Sequence, residues 1–114
     1  TGLKPSDMQA AMIYDAFTPQ VLMQLEGFGF CKVGEATDFI ASGGIALDGA
    51  LPINSHGGLM GEAYIPGINS MAAGLRPVRG PAGNPGNKLR HALVTSGAAG
   101  GVATARGSQR RARR

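Results

Sequence analysis

The sequence is poor in cysteine, and its single thiol, Cys31, excludes an internal disulfide framework. One cysteine suits a reducing compartment, so we expect a cytoplasmic protein. No apolar run approaches the roughly 18 residues that a membrane-spanning helix needs, so we expect no membrane span. The His and Cys residues lack metal-ligand spacing, and the glycine-rich runs lack the lysine of a phosphate-binding loop. The sequence therefore predicts neither a metal site nor a bound cofactor.

Acidic residues are absent from the C-terminal end, and this absence accounts for the net charge of +4. Residues 106–114 contain five arginines and no acid, whereas residues 1–105 contain six Lys and Arg against seven Asp and Glu. Such a tail could attract RNA or an acidic membrane. It has no aromatic residue to stack on a base, which favours a disordered terminus and argues against nucleic acid as a partner. We therefore expect a domain at 1–105 and a disordered basic tail at 106–114.

Apolar spacing in the first half of the chain predicts a strand followed by two helices. The apolar run at 8–13 is typical of a buried strand. Thr18 and Pro19 suit the N-cap and first position of a helix, because Thr can bond an early N–H and Pro lacks one. Helical spacing then follows in four apolar residues: Val21, Leu22, Leu25 and Phe28. A second short helix is predicted at 34–43.

The second half of the chain predicts a longer helix and two strands. Pro66 is costly inside a helix, so we expect the helix to begin there and to close at Pro77. Its apolar stripe consists of Ile68, Met71, Ala72 and Leu75. A strand is predicted at 91–96, with a partner strand at 102–105. The order of elements indicates an α/β fold.

The loop at 54–67 is the stretch best suited to a ligand site, with the sequence Asn-Ser-His-Gly-Gly-Leu-Met-Gly-Glu-Ala-Tyr-Ile-Pro-Gly. Gly57 and Gly58 allow backbone N–H groups to approach a ligand without side-chain obstruction. The helix expected at Pro66 directs its positive end at developing anionic charge. Tyr64 lies between these features and can face a substrate; packing under the helix is the alternative.

This loop and the segment Tyr14-Asp15-Ala16-Phe17 together resemble the C-terminal half of thiolase-superfamily proteins. In that superfamily an Asn-x-x-Gly-Gly-Leu loop leads into Gly-His-Pro, whose His faces the acyl thioester. A His-Asp-Cys-Phe or Asn-Glu-Ala-Phe turn supplies the facing polar group. The loop residues that match the pattern are Asn54, Gly57, Gly58 and Leu59.

Both usual polar groups are tyrosines in this chain. Tyr64 falls where the His of Gly-His-Pro belongs, and Tyr14 falls where the His or Asn of the other turn belongs. The pair resembles thiolase-like lipid-transfer proteins that act as aldol lyases on steroid side-chain acyl-CoAs. By this resemblance Tyr14 and Tyr64 are catalytic. The residues expected to bind the substrate or its oxyanion are Asn54, His56, Gly57 and Gly58.

Three neighbouring polar residues keep alternative roles. Asn54 donates to a catalytic water or thioester oxygen, or it braces the loop. His56 tunes Tyr64 or is simply exposed. Asp15 is expected to orient the neighbouring turn or cap a helix, which is a structural role.

The resemblance implies a thiolase-like layered sandwich that spans 1–105 and represents only the C-terminal half of that fold. The chain opens with Thr1 as if in mid-domain, so we expect a fragment whose missing N-terminal half completes the active site. The implied reaction is retro-aldol cleavage of a β-hydroxyacyl-CoA, with the coenzyme A thioester as substrate. The family also implies a homodimer and an OB-fold/zinc-ribbon accessory protein.

The cysteine positions bear on the alternative functions. Thiolases form an acyl-enzyme on an N-terminal-half Cys and shuttle a proton with a C-terminal Cys-x-Gly, whose Cys position is occupied here by Gly97. Cys31 follows a helix end without a His to activate it, so we expect a small buried thiol. A thiolase-type acyltransferase, a lipid-transfer protein and an inactive fragment or pseudoenzyme remain alternatives.

Overall fold

The computed structural model of the protein describes residues 2–61, 68–79, 90–96 and 101–106. The elements in these ranges are, in chain order, a 3-10 helix at Pro5–Asp7, β1 (Ala10–Met12), α1 (Thr18–Gly27), α2 (Ala36–Ala41), α3 (Gly58–Gly61), α4 (Ile68–Arg79), β2 (His91–Ser96) and β3 (Gly101–Arg106). All three predicted strands are confirmed, and so are the predicted helices that α1, α2 and α4 represent. The four-residue α3 was not predicted.

The three strands form one mixed sheet in the order β1-β2-β3. β1 lies parallel to β2, with Ala11 opposite Leu93, and β2 is antiparallel to β3, with Val94 opposite Ala103. On the other side of β1, Ile53 makes a single parallel bridge to Ala11. Parallel strands need a crossover connection, and the helices α1 to α4 lie in the connection between β1 and β2.

Side chains alternate across β1, so each face of the sheet has its own apolar cluster. Ile13 is buried in one cluster with Leu25 of α1. Met12 is buried in the other with Ala73 of α4 and Val94 of β2. The predicted apolar residues of α1 all lie in or against the first cluster: Val21, Leu22, Leu25 and Phe28. Helices thus cover both faces, which confirms the predicted layered α/β sandwich.

The apolar stripe predicted for α4 does not face the sheet, although α4 packs against all three strands. The positions it buries are small: Ser70, Ala73 and Gly74. Ile68, Met71 and Leu75 are instead 60%, 42% and 38% exposed. The reason is close approach: a Cβ at Gly74 would lie 2.6 Å from Val94 Cγ2, so only a side chain smaller than methyl fits. The α4 backbone lies so close to the sheet that its small side chains, rather than its large apolar ones, face inward.

Two predicted helix boundaries are wrong. The N-cap of α1 is Phe17, whose backbone is extended, so that Thr18 and Pro19 occupy the first two helical positions without a side-chain cap bond. α4 does not close at Pro77 but continues to Arg79. Pro77 lacks the backbone N–H that would donate a helical hydrogen bond. Because only two residues of α4 follow Pro77, the missing bond affects only the last turn. The predicted start at Pro66 lies outside the described residues.

Candidate functional site

Tyr14 lies just beyond β1, where a ring of hydrogen bonds surrounds its own peptide groups. Its N–H donates to Thr95 Oγ1 at 2.8 Å, and Gln24 Nε2 donates to its carbonyl oxygen at 2.7 Å. The Thr95 hydroxyl closes the ring by donating to Gln24 Oε1 at 2.6 Å. Three elements, β1, α1 and β2, therefore hold the half-buried Tyr14 in place.

Asn54 braces the loop against the same strand end. Its Oδ1 accepts from the N–H of Ile13 at 2.8 Å, and its Nδ2 donates to the Ile13 carbonyl at 2.9 Å. The residue adopts a φ of 45°, a left-handed conformation that Asn tolerates better than most side chains. Of the two roles considered for Asn54, loop bracing is therefore present in the structure. Donation to a substrate oxygen stays a prediction.

Asp15 connects this turn to the glycines of the loop. Its Oδ1 accepts from the N–H of Leu59 at 3.1 Å, at the first turn of α3. Gly58 has a φ of 66°, and a Cβ there would collide with Asp15 Oδ2. Position 58 therefore requires glycine for two independent reasons. Asp15 orients the neighbouring loop from 44 residues away, which is the structural role expected of it.

His56 is half-buried in this loop, and its Nδ1 is fully enclosed without a hydrogen-bond partner in the described part of the chain. A buried polar atom left unpaired costs about 1–3 kcal/mol. The Nδ1 atom of the imidazole therefore makes no hydrogen bond with the described residues, in a loop that also contains Gly57 and Gly58.

These contacts bring five of the predicted site residues to one place. Tyr14 follows the end of β1, and the segment from Asn54 to Leu59 is bonded to that end through Ile13 and Asp15. Tyr64 lies outside the described residues, so its distance from Tyr14 stays a prediction. A separation of the two hydroxyls by more than about 15 Å would contradict a shared acid–base site, because proton transfer needs hydrogen-bond reach or one bridging water.

Gln24 and Thr95 belong to this site, and sequence reasoning did not select them. Gln24 is a polar residue placed among the apolar positions Val21 and Leu25 of α1. Thr95 is 2% exposed at the end of an apolar strand. The available signal was a polar residue among the apolar residues of a helix or strand.

Cys31 lies away from these residues, beyond the end of α1, where it packs against the first apolar cluster. Burial raises the pKa of its thiol above the ordinary value, and the nearby carboxylates Glu26 and Glu35 raise it further. A thiol held protonated is a poor nucleophile. The thiol is only partly buried, so the expectation of a buried thiol is met in its apolar contacts but not in full burial.

Other kinds of site are not formed by the described residues. No cluster of three His, Cys, Asp or Glu among them could hold a metal ion. No helix among them is long and apolar enough to cross a membrane. A cavity of about 200 Å³ lies near the amino end of β1, on the side of Met8 rather than Tyr14, and Phe30, Phe39 and Leu51 line it.

Comparisons with known proteins identify relatives that are similar in sequence. The chain is 56% identical over 97 residues to the 17-hydroxy-3-oxo-4-pregnene-20-carboxyl-CoA lyase of Mycobacterium tuberculosis (strain ATCC 25618 / H37Rv). It is 54% identical over 97 residues to the steroid side-chain-cleaving aldolase of Thermomonospora curvata. Each match covers 85% of this chain and 25% of the relative, so the chain spans about a quarter of their length.

A solved structure and a family model extend the comparison to the fold. The structure named Ltp2-ChsH2(DUF35) aldolase superposes with a TM-score of 0.79 at 54% identity, covering 84% of this chain and 25% of that one. The family model described as thiolase C-terminal domain-like matches residues 1–108. With nearly the whole chain matched in sequence and in fold, the chain belongs to the thiolase C-terminal domain-like family.

Proposed function

We propose that this domain supplies the C-terminal part of an active site that cleaves a β-hydroxyacyl-CoA by a retro-aldol reaction. The acyl group is a steroid or lipid side chain. The observation that carries the proposal is the identity of 56% and 54% to a steroid acyl-CoA lyase and a steroid side-chain-cleaving aldolase. The clamped Tyr14 and the glycine loop at the end of β1 support it, since this is where the resemblance puts the acyl thioester.

The reaction needs one base and one acid. The base removes the proton of the substrate's β-hydroxyl, the bond between the α and β carbons breaks, and the hydroxyl-bearing carbon becomes a carbonyl. The electron pair of the broken bond passes into the thioester enolate, which the acid protonates at the α carbon. We assign these roles to Tyr14 and Tyr64. Because free Tyr has a pKa of about 10, the base needs a lowered pKa or a proton relay.

The enolate oxygen needs donors, and the loop limits which are available. The N–H of Gly57 already donates to the Asn54 carbonyl at 2.9 Å, and that of Leu59 donates to Asp15. The N–H of Gly58 has no acceptor in the part of the chain that the structure describes. We therefore favour Gly58 as the backbone donor to the enolate oxygen, with the imidazole of His56 as a second polar group near it.

The same proposal includes partners. A thiolase N-terminal half completes the pocket, and the assembly is a cytoplasmic homodimer that needs no bound cofactor. The name of the similar solved structure joins Ltp2 to ChsH2(DUF35). That pairing supports an accessory protein, for which we propose an OB-fold/zinc-ribbon architecture.

Replacement of the tyrosine hydroxyls tests the proposal in the protein that joins this domain to its N-terminal half. Tyr14→Phe and Tyr64→Phe keep the ring but remove the transferable proton. We expect kcat to fall about 100- to 10,000-fold with little change in KM. Steady-state cleavage of a β-hydroxyacyl-CoA measures both constants.

Cys31→Ala is the matched control and should leave kcat nearly intact. An inactive Cys31→Ala enzyme beside active tyrosine variants would reject the lyase assignment. It would favour the alternative, covalent acyl transfer by a thiolase-type acyltransferase.

A further inference from the structure

We propose that Gln24 and Thr95 are positioning residues for the aldol cleavage, acting on the backbone of Tyr14. This inference rests on the proposed function, in which Tyr14 transfers a proton. The two side chains bond both peptide groups of Tyr14 and also bond each other, as described above. The ring therefore fixes the direction in which the tyrosine side chain leaves the main chain.

The chemistry of the ring allows one arrangement of its protons. Thr95 Oγ1 accepts the Tyr14 N–H, so its single proton goes to Gln24 Oε1. The amide orientation of Gln24 is then determined, with its NH₂ group donating to the carbonyls of Tyr14 and, at 3.0 Å, Gln20. Every donor in the ring has an acceptor, and a fully satisfied network of this kind rigidifies its surroundings.

The location explains why such a clamp is needed. β1 ends at Met12, so the peptide groups of Tyr14 lie beyond the regular ladder with β2. Side chains from α1 and β2 supply the bonds that the ladder does not. Catalytic groups need placement to about 0.5 Å and 10–20°. A displacement of 1 Å can cost about 100-fold in rate.

Isosteric variants separate positioning from packing. Thr95→Val keeps the shape of a buried side chain but removes the acceptor for the Tyr14 N–H. Thr95→Ser keeps the hydroxyl and is the conservative control. Gln24→Glu keeps the length but places a carboxylate oxygen against the Tyr14 carbonyl. Thr37→Val makes the same chemical change as Thr95→Val at an exposed position of α2 and should have no effect.

The kinetic test is a double-mutant cycle in the protein that joins this domain to its N-terminal half. We expect Thr95→Val and Gln24→Glu to lower kcat by about 10- to 100-fold with KM nearly unchanged, and Thr95→Ser to retain most of the activity. In a Tyr14→Phe background, Thr95→Val should cause no further loss, because the clamp acts only through that hydroxyl. The inference would be overturned if Thr95→Val lowered kcat equally in the Tyr14 and Tyr14→Phe proteins. It would also be overturned if Thr95→Val left kcat unchanged in the protein that has Tyr14.

A second measurement does not depend on activity. In the 114-residue chain, hydrogen exchange of the Tyr14 amide should be faster in Thr95→Val than in Thr95→Ser or Thr37→Val, with global stability followed by melting temperature. Unchanged exchange at Tyr14 would refute the clamp itself. If exchange accelerates but Tyr14→Phe leaves kcat intact, the proposed catalytic role of Tyr14 fails while the clamp stands.

Discussion

At the scale of single residues, most polar side chains near the end of β1 hold the backbone. Asn54 bonds both peptide groups of Ile13, Asp15 bonds the first turn of α3, and Gln24 bonds the carbonyl of Tyr14. Tyr14 lies among these fixed neighbours, and the proposed function assigns its hydroxyl to the substrate. A reacting group held by several fixed neighbours loses little freedom when the substrate arrives, which favours catalysis.

The raised pKa of Cys31 leads to a prediction about thiol reactivity. Burial and the carboxylates of Glu26 and Glu35 disfavour the thiolate. Iodoacetamide should therefore alkylate Cys31 more slowly than free cysteine at neutral pH, and the rate should reach its half-maximum at a higher pH. Because the native state holds the thiol proton more tightly, the free energy of unfolding should fall as pH rises from the ordinary pKa through the raised one. Cys31→Ala should remove that part of the pH dependence.

Mass spectrometry after timed alkylation across pH gives the rate profile. A Cys31 rate equal to or above that of free cysteine at neutral pH would contradict the described surroundings of the thiol.

At the scale of elements, α4 shows that helix orientation depends on fit as much as on hydrophobicity. Its small residues Ser70, Ala73 and Gly74 face the strands, and its larger apolar side chains face away from them. A helix that carries a flat face of small residues can approach a sheet closely. The larger apolar residues left exposed on α4 are Ile68, Met71 and Leu75.

Gly74→Ala tests the close packing of α4. The new methyl would lie 2.6 Å from Val94 Cγ2 and 3.7 Å from Met12 Cγ. Overpacking of this kind costs about 1–3 kcal/mol, which the better helix propensity of Ala offsets by up to about 1 kcal/mol. We expect a lower melting temperature, by about 4–8 °C for each net kcal/mol lost.

Gly27→Ala is the matched control at the last residue of α1, where an added Cβ meets no atom within 4 Å. It should leave the melting temperature unchanged or raise it slightly. Equal melting temperatures for the two variants would show that Gly74 is not required for close approach.

At the scale of the whole molecule, the chain corresponds to about a quarter of the length of its two curated relatives. Its described part forms one sheet with helices on both faces, and the candidate site lies at one end of β1. The proposed cleavage requires groups on both sides of the substrate, and we assign the remaining ones to an N-terminal half.

The 114-residue chain by itself is therefore predicted to be catalytically silent. Incubation with a β-hydroxyacyl-CoA and assay of the aldol products measures this directly. Product formation should stay at the uncatalysed rate. Addition of the N-terminal half should give catalysed product formation. Turnover by the chain alone at typical enzyme rates, about 1–1000 per second, would show that the domain is self-sufficient.

The sequence by itself determined the α/β class, the strand at 91–96, a partner strand predicted at 102–105 and the buried face of α1, because local periodicity encodes each of them. It also located Tyr14 and the Asn54–Gly58 segment through a spacing that resembles one family. Only the tertiary structure decided the face of α4, since small residues carry no hydrophobic signal. It alone decided the clamp on Tyr14, because Thr95 lies 81 positions away in the chain. A hydrogen bond between residues so far apart depends on the parallel pairing of β1 and β2, and local pattern contains no record of that pairing.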